Sequence, residues 1–247
     1  MDASTAEKLL ALNREFYASF VQPFAASRPV SDPALTHVLP HIPPCARVLD
    51  VGCGNGRLAA LLERERPGAR YVGLDAAPEL IELARGLAAG LARITAVFGV
   101  ADVARPGWRR VLESLHPPPA ADFDRVVCLA LLHHIPGFDL RVQVLREMAG
   151  LLAPGGRLIL STWQFLDSPR LRRRLVDWAE AGVLQEALEP GDYLLDWQRG
   201  GRGLRYCHLV DKEELARLAA ASGLAVRETF RAGGREGNLS LFAVLDR

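Results

Sequence analysis

Cysteine is sparse in this 247-residue chain: Cys45, Cys53, Cys128 and Cys207 are the only four, and no two of them form a CxxC pair. That excludes a disulfide framework and a zinc ribbon, and suits reduced structural thiols in a cytoplasmic protein with no bound metal. Net charge is nearly missing as well, with 30 basic residues against 29 acidic ones. No global field draws in a polyanion, so any contact with nucleic acid must come from local patches. Long apolar runs are lacking too, and none approaches the roughly 20 residues that span a bilayer. The N-terminal MDASTAEKLLALNREFYASF is charged and amphipathic, without the basic end and apolar centre of an export signal. Nearly all the basic residues are arginine, which reads as coding bias, like the abundant Ala, Leu and Gly.

What the chain does have is strand and helix in alternation. Apolar runs near 47–51, 70–75, 94–98, 123–129 and 157–162 read as strands, and helical periodicity covers 56–66, 78–90 and 139–152. Such alternation predicts a single α/β domain with a doubly wound parallel sheet. An amphipathic helix over 6–20 and a short one from Asp32 to His41 precede that core, so residues 1–42 form an N-terminal helical segment and 43–163 the core. Residues 164–205 break the rhythm with a basic helix, SPRLRRRLVDWAEAG, followed by a Pro/Gly-rich aromatic stretch. An insertion there emerges near the carboxyl edge of the sheet, where it can serve as a lid or recognition element. Residues 206–247 supply a capped helix, DKEELARLAAASG, and closing strands near 224–231 and 238–245.

The first strand of the core runs into VLDVGCGNGRLAALL, where Gly52, Gly54 and Gly56 are spaced two apart. A dinucleotide fingerprint needs G-x-G-x-x-G, but its third small position is Arg57 here, and Asp50 sits where a carboxylate would repel a pyrophosphate. Asp50 can instead accept from a cationic amino group, and the glycine amides suit a ligand without phosphates. Asp75, ending YVGLD, is placed to take both hydroxyls of a ribose. Asp102 in GVADV can accept from an adenine amine while the Val103 amide meets a ring nitrogen. An adenosine that carries an amino acid is S-adenosylmethionine. An NAD-dependent oxidoreductase is disfavoured by Arg57 and Asp50.

VLDVGCGNG, YVGLD, ADV, FDRVVCLALLHHI and LLAPGGRLIL resemble, in order, the motifs of class I S-adenosylmethionine-dependent methyltransferases. The resemblance implies a Rossmann-like seven-stranded, mostly parallel sheet with helices on both faces and its last strand antiparallel. It also assigns Leu129, at the end of the fourth strand, to the cofactor site. His133 or His134 then serves as a base, holds an anionic acceptor, or binds the loop backbone. An amine or phenol acceptor needs such a base, whereas a carboxylate does not.

FYASFVQPFAASRP, GDYLLDW, RYCHLVDKEEL and GNLSLF are similar to segments of the tRNA wobble-uridine carboxymethyl methyltransferase family. That resemblance implies methylation of a carboxymethyl group on tRNA. Arg28, Arg205 and His208 would grip the acceptor carboxylate or flanking phosphates, with Arg28 also assigned to the cofactor site, while Asp192, Trp197 and Asn238 would shape the pocket. The candidate catalytic residues are His133, Arg205 and His208. Leu239 departs from the family's aromatic residue, and between 164 and 210 seven arginines meet seven acids, so no phosphate-binding stripe stands out. The candidate partners are therefore tRNA and a small-molecule carboxylate, phenol or amine. A donor-binding protein without catalysis, acting with a small activator like the zinc-binding one used by the family's eukaryotic members, is the reading from a different class.

Overall fold

The computed structural model describes residues 1–27, 33–119, 122–234 and 236–247. Helix α1 (Ala3–Ser19) starts at Asp2, whose side chain accepts from the Thr5 amide at 2.9 Å. Helices α2 (Val21–Ala26) and α3 (Pro33–Thr36) lead to the core. The core then runs β1 (Arg47–Val51), α4 (Arg57–Glu65), β2 (Arg70–Asp75), α5 (Pro78–Ala88), β3 (Thr95–Val100), α6 (Val111–Ser114), β4 (Phe123–Leu129), α7 (Phe138–Ala149) and β5 (Leu152–Trp163). Four short elements follow, α8 (Pro169–Arg172), β6 (Leu175–Val176), β7 (Asp192–Trp197) and β8 (Gly203–His208). The chain closes with α9 (Lys212–Ala221), β9 (Ala225–Ala232) and β10 (Ser240–Asp246).

Seven strands form one sheet in the order β3-β2-β1-β4-β5-β10-β9. β1 to β5 pair in parallel, and β10 runs antiparallel to both β5 and β9, so one strand is reversed, as the motif resemblance implies. Alternation along each strand sends side chains to opposite faces. Leu49, Val51, Val126 and Cys128 join one core with α7 and α9, while Val48, Val127, Ile159 and Phe242 join a second with α3, α4 and α5. Helix α4 buries Leu58, Leu61 and Leu62 against the sheet, each worth about 1.5–3 kcal/mol.

Two segments depart from the sequence reading. The strand expected over 157–162 begins at Leu152, so the Pro-Gly-Gly of LLAPGGRLIL lies inside β5, whose pairing with β4 shifts register between Phe123 and Arg125. A Cβ at Gly156 would come within 2.9 Å of the Ala153 and Phe123 carbonyl oxygens, so glycine is required there. The basic helix expected after Ser168 stops at Arg172, and Leu175–Val176 instead pairs with β7 in a three-stranded antiparallel sheet, β6-β7-β8. Leu171, Leu195 and Cys207 bury their side chains around Phe165, and that apolar cluster holds the small sheet in place of a longer helix. No helix among the described residues is long and apolar enough to cross a membrane.

Candidate functional site

The carboxyl ends of β1, β2, β3 and β4 converge on a cavity of about 350 Å³ at the point where strand order reverses between β1 and β4. Gly52, Gly54, Asp75, Asp102, Val103 and Leu129 all line it. Gly52, Gly54 and Gly56 take left-handed backbone angles, with φ of 79°, 56° and 81°. A Cβ at Gly54 would meet no protein atom within 4 Å and would stand in the open cavity.

The amides of this turn are already used. Gly52 donates to the Leu74 carbonyl at 2.7 Å, Gly56 to the Cys53 carbonyl at 3.1 Å, and Gly54 to Asp75 Oδ2 at 2.9 Å. Gly52 and Gly54 therefore serve the site by shape, while Gly56 lies off the cavity wall against Ala84 and Phe98, and the expectation that the glycine amides face the ligand is corrected. A turn with its N–H groups spent on the protein is a poor cradle for pyrophosphate, which removes the dinucleotide reading on geometry.

Asp75 also accepts from the Ala77 amide at 2.9 Å through Oδ1. Burial raises its pKa above the usual carboxylate range, against the pull of the surrounding amides. Each of its oxygens keeps a lone pair for a ribose hydroxyl. Asp102 accepts from the Ala104 amide at 3.0 Å and receives Arg14 Nη1 at 3.4 Å. Asp50 is placed differently from expectation. Its carboxyl lies under the turn, off the cavity wall, and accepts from the Tyr71 hydroxyl at 2.6 Å. Burial pushes its pKa up to about 7, although the Tyr71 bond opposes the rise.

Helix α1 forms a further wall of this cavity with Asn13, Arg14 and Tyr17, none of which the sequence reading singled out as site residues. Asn13 is pinned to β8, donating to the Tyr206 carbonyl at 3.1 Å and accepting the Tyr206 amide at 2.9 Å. The stripe was legible as amphipathic, but nothing local marked its polar members as facing a ligand.

Of the tandem histidines, His134 is the one at the cavity. Its Nδ1 lies 3.0 Å from the Tyr206 carbonyl, which only accepts, so Nδ1 carries the proton and Nε2 accepts from the Tyr17 hydroxyl at 2.9 Å. His133 is fully buried, stacked on Trp163 at 5.1 Å between centroids, and lines neither cavity, which corrects its assignment as a catalytic candidate.

A second cavity, of about 390 Å³, adjoins the first, and Arg57, Leu129 and Ala130 line both. Ala130 sits at the junction with φ of 56°, a strained angle for a residue with a Cβ, and its amide is held by Ser161. Arg205 and Trp197 line this cavity as well.

The other acceptor candidates lie elsewhere. Period two along β8 places Arg205 and His208 on opposite faces of the strand, and Asp192 is the cross-strand partner of His208. His208 is buried between Asp192 (2.6 Å) and Glu214 (2.8 Å), and lines neither cavity. Burial works to lower its pKa, but the two carboxylates outweigh it and the net shift is upward. Arg141, 1% exposed, joins this network through Glu189 at 2.8 Å and Glu214 at 3.0 Å. His208 and Asp192 thus belong to a buried ionic joint between the small sheet, α7 and α9, and the expected contact with an acceptor is corrected. Asn238 is exposed off both cavities, its carbonyl accepting from Arg231 Nε at 2.9 Å. Arg28 lies outside the described residues.

A family model described as a methyltransferase domain matches residues 11–229. Among curated relatives, the chain is 38% identical over 120 residues to a ubiquinone biosynthesis O-methyltransferase of Xylella fastidiosa, covering 47% of this chain and 42% of that protein. The match thus spans less than half the relative's length. The fold is shared with a SAM-dependent methyltransferase of Methanosarcina mazei, with a TM-score of 0.62, 23% identity, and 85% and 95% of the two chains covered. It is shared also with the magnesium protoporphyrin IX methyltransferase of Synechocystis solved with bound SAM, with a TM-score of 0.56, 17% identity and 100% of both chains covered.

Proposed function

The chain belongs to the methyltransferase-domain family, of class I with S-adenosylmethionine as methyl donor, and from that premise we propose that it methylates an oxygen of a small-molecule acceptor. The observation that carries this reading is the second cavity, which meets the donor cavity at Arg57, Leu129 and Ala130. The curated relative's name, an O-methyltransferase of ubiquinone biosynthesis, supports a small acceptor.

The residues present fit the donor. Asp75 stands for the ribose, Asp102 and Val103 for the adenine, and the left-handed glycine turn leaves room where side chains would otherwise intrude. S-adenosylmethionine supplies a methyl group on a positively charged sulfur, so transfer chiefly needs alignment and exclusion of water. Helix α1 closes one wall of the donor cavity through Tyr17 and Asn13. Among the described residues, the second cavity is lined by no His, Lys, Tyr or Cys and by one carboxylate, Asp196, which is ion-paired with Arg174 at 3.7 Å and Arg202 at 3.6 Å. An acceptor oxygen that is already ionised near neutral pH suits such a wall, because none of its described side chains is placed to take a proton.

A carboxymethyl group on the wobble uridine of tRNA is the narrower acceptor that the sequence resemblance implies. The arginines of the insertion speak little for it, because Arg174 and Arg202 are paired with acids. The test offers labelled donor to a metabolite extract and to total tRNA side by side. Label in small molecules and none in tRNA is the expected result; label in tRNA alone would overturn the reading.

A further inference from the structure

We propose that Arg205 is an oxyanion anchor and that the acceptor is a small organic acid bound through its anionic group in the second cavity. The inference rests on the methyltransferase reading and narrows it to a substrate class. Arg205 is 4% exposed, and its Nε and Nη1 are buried without a hydrogen-bond partner among the described residues. A guanidinium carries five N–H groups and cannot shed its charge, so leaving two of its nitrogens dry and unpaired is costly. The cost is tolerated here by three aromatic rings. The guanidinium carbon lies 4.8 Å from the ring centre of Phe16, 5.1 Å from Trp163 and 5.2 Å from Trp197. Such faces attract a cation but accept no ordinary hydrogen bond, so they fix the group in place and leave its N–H donors for a ligand.

The surroundings have the matching sign. Among the described residues, Arg170, Arg174, Arg199 and Arg205 line the cavity with one acid, Asp196, which already faces Arg174 and Arg202. Asp196 therefore does not neutralise Arg205. A carboxylate or a phosphate monoester entering this cavity gains charge-assisted bonds to a group that is already oriented and desolvated. A neutral molecule of the same shape gains neither.

The test is calorimetric titration of the full chain, saturated with S-adenosylhomocysteine, with acetate, benzoate and phenyl phosphate, each set against a neutral counterpart: acetamide, benzamide and phenol. The expected result is that at least one anion binds at least about tenfold tighter than its neutral counterpart, and that Arg205→Gln removes this preference while Arg205→Lys keeps part of it. The carboxylate and phosphate arms separate the two sources of the oxyanion. Unaltered S-adenosylhomocysteine affinity in Arg205→Gln shows that the variant is folded. If that variant fails to fold, the anion preference of the wild-type chain and its quenching of tryptophan emission, from Trp163 and Trp197 beside the guanidinium, decide alone. No preference in any pair, or a preference that survives Arg205→Gln, overturns the proposal. Methyl transfer to neutral acceptors without anion binding would sink this inference and spare the proposed function. Anion binding without affinity for the donor product would do the reverse.

Discussion

Replacing His208 with leucine removes the one group that sits between Asp192 and Glu214, at 2.6 and 2.8 Å, in a site where His208 is 1% exposed. Two carboxylates then keep their other partners, the Tyr206 hydroxyl and the Glu189 amide, each at 2.8 Å, for Asp192 and Arg141 at 3.0 Å for Glu214. Breaking a buried pair on one side costs about 3–5 kcal/mol. At about 2–4 °C per kcal/mol for a chain of this size, the melting temperature should fall by about 6–20 °C. The pH dependence carries the sharper signature. His208 has a pKa raised above its unfolded value near 6.5, so the stability it contributes is fully present below that value and is lost as pH rises through the folded pKa. Burial tends to raise the pKa of Glu214, but His208 and Arg141 outweigh it and the net shift is downward, so its share is present above about 4.5 and is lost as pH falls further. The gap between wild type and His208→Leu should be widest from about pH 4.5 to 6.5 and should narrow in alkali. Thermal unfolding followed by circular dichroism across pH 4 to 9 measures it. A gap that is flat with pH, or under about 2 °C at pH 6, would refute a protonated histidine bridging the two acids.

Asp75→Ala should weaken binding of S-adenosylhomocysteine about 10–100-fold by calorimetry, the loss expected from one or two charged hydrogen bonds, and unaltered affinity would remove Asp75 from the ribose site. Gly54→Ala places a methyl group in open cavity space at φ of 56°, so it should lower donor-product affinity while costing about 1–2 kcal/mol of stability; full affinity in that variant would move the ligand away from the turn. Asp50, with a folded pKa of about 7 against 3.8, destabilises the fold progressively from about pH 4 up to pH 7, by on the order of 4 kcal/mol at most. Asp50→Asn keeps an acceptor for Tyr71 and loses that cost, so its melting temperature relative to wild type should climb between pH 4.5 and 8; parallel curves would contradict a buried carboxyl that ionises near neutrality.

What the sequence made legible is what local spacing controls. A strand that ends in glycines and an acid that ends the next strand must meet at the sheet's carboxyl edge, whatever lies far away in the chain, and so the parallel core and the places of Asp75, Asp102 and Val103 at its edge could be expected in advance. Which neighbour of an adjacent pair faces a ligand depends on distant packing. His133 and His134 sit side by side in one short turn, yet only the position of Trp163 on β5 and Tyr206 on β8 decides that the first is stacked away and the second meets the cavity. The same holds for Asp50, whose role depends on Tyr71 across the sheet, and for the insertion. There the arginine-rich stretch had helical spacing, but pairing with β7 and burial of Leu171 decided its form. Arg205 and His208 were grouped by similarity of sequence, and β8 separates them by its pleat alone. That separation divides the work of one strand. Its one face closes an ionic joint that holds the small sheet to α7 and α9, and its other face presents a caged cation to the cavity beside the donor. Helix α1 spans the same boundary, with Phe16 against Arg205 and the next residue, Tyr17, against His134. The walls of the two cavities are thereby tied to shared elements, so a shift of α1 or β8 would be felt in both at once.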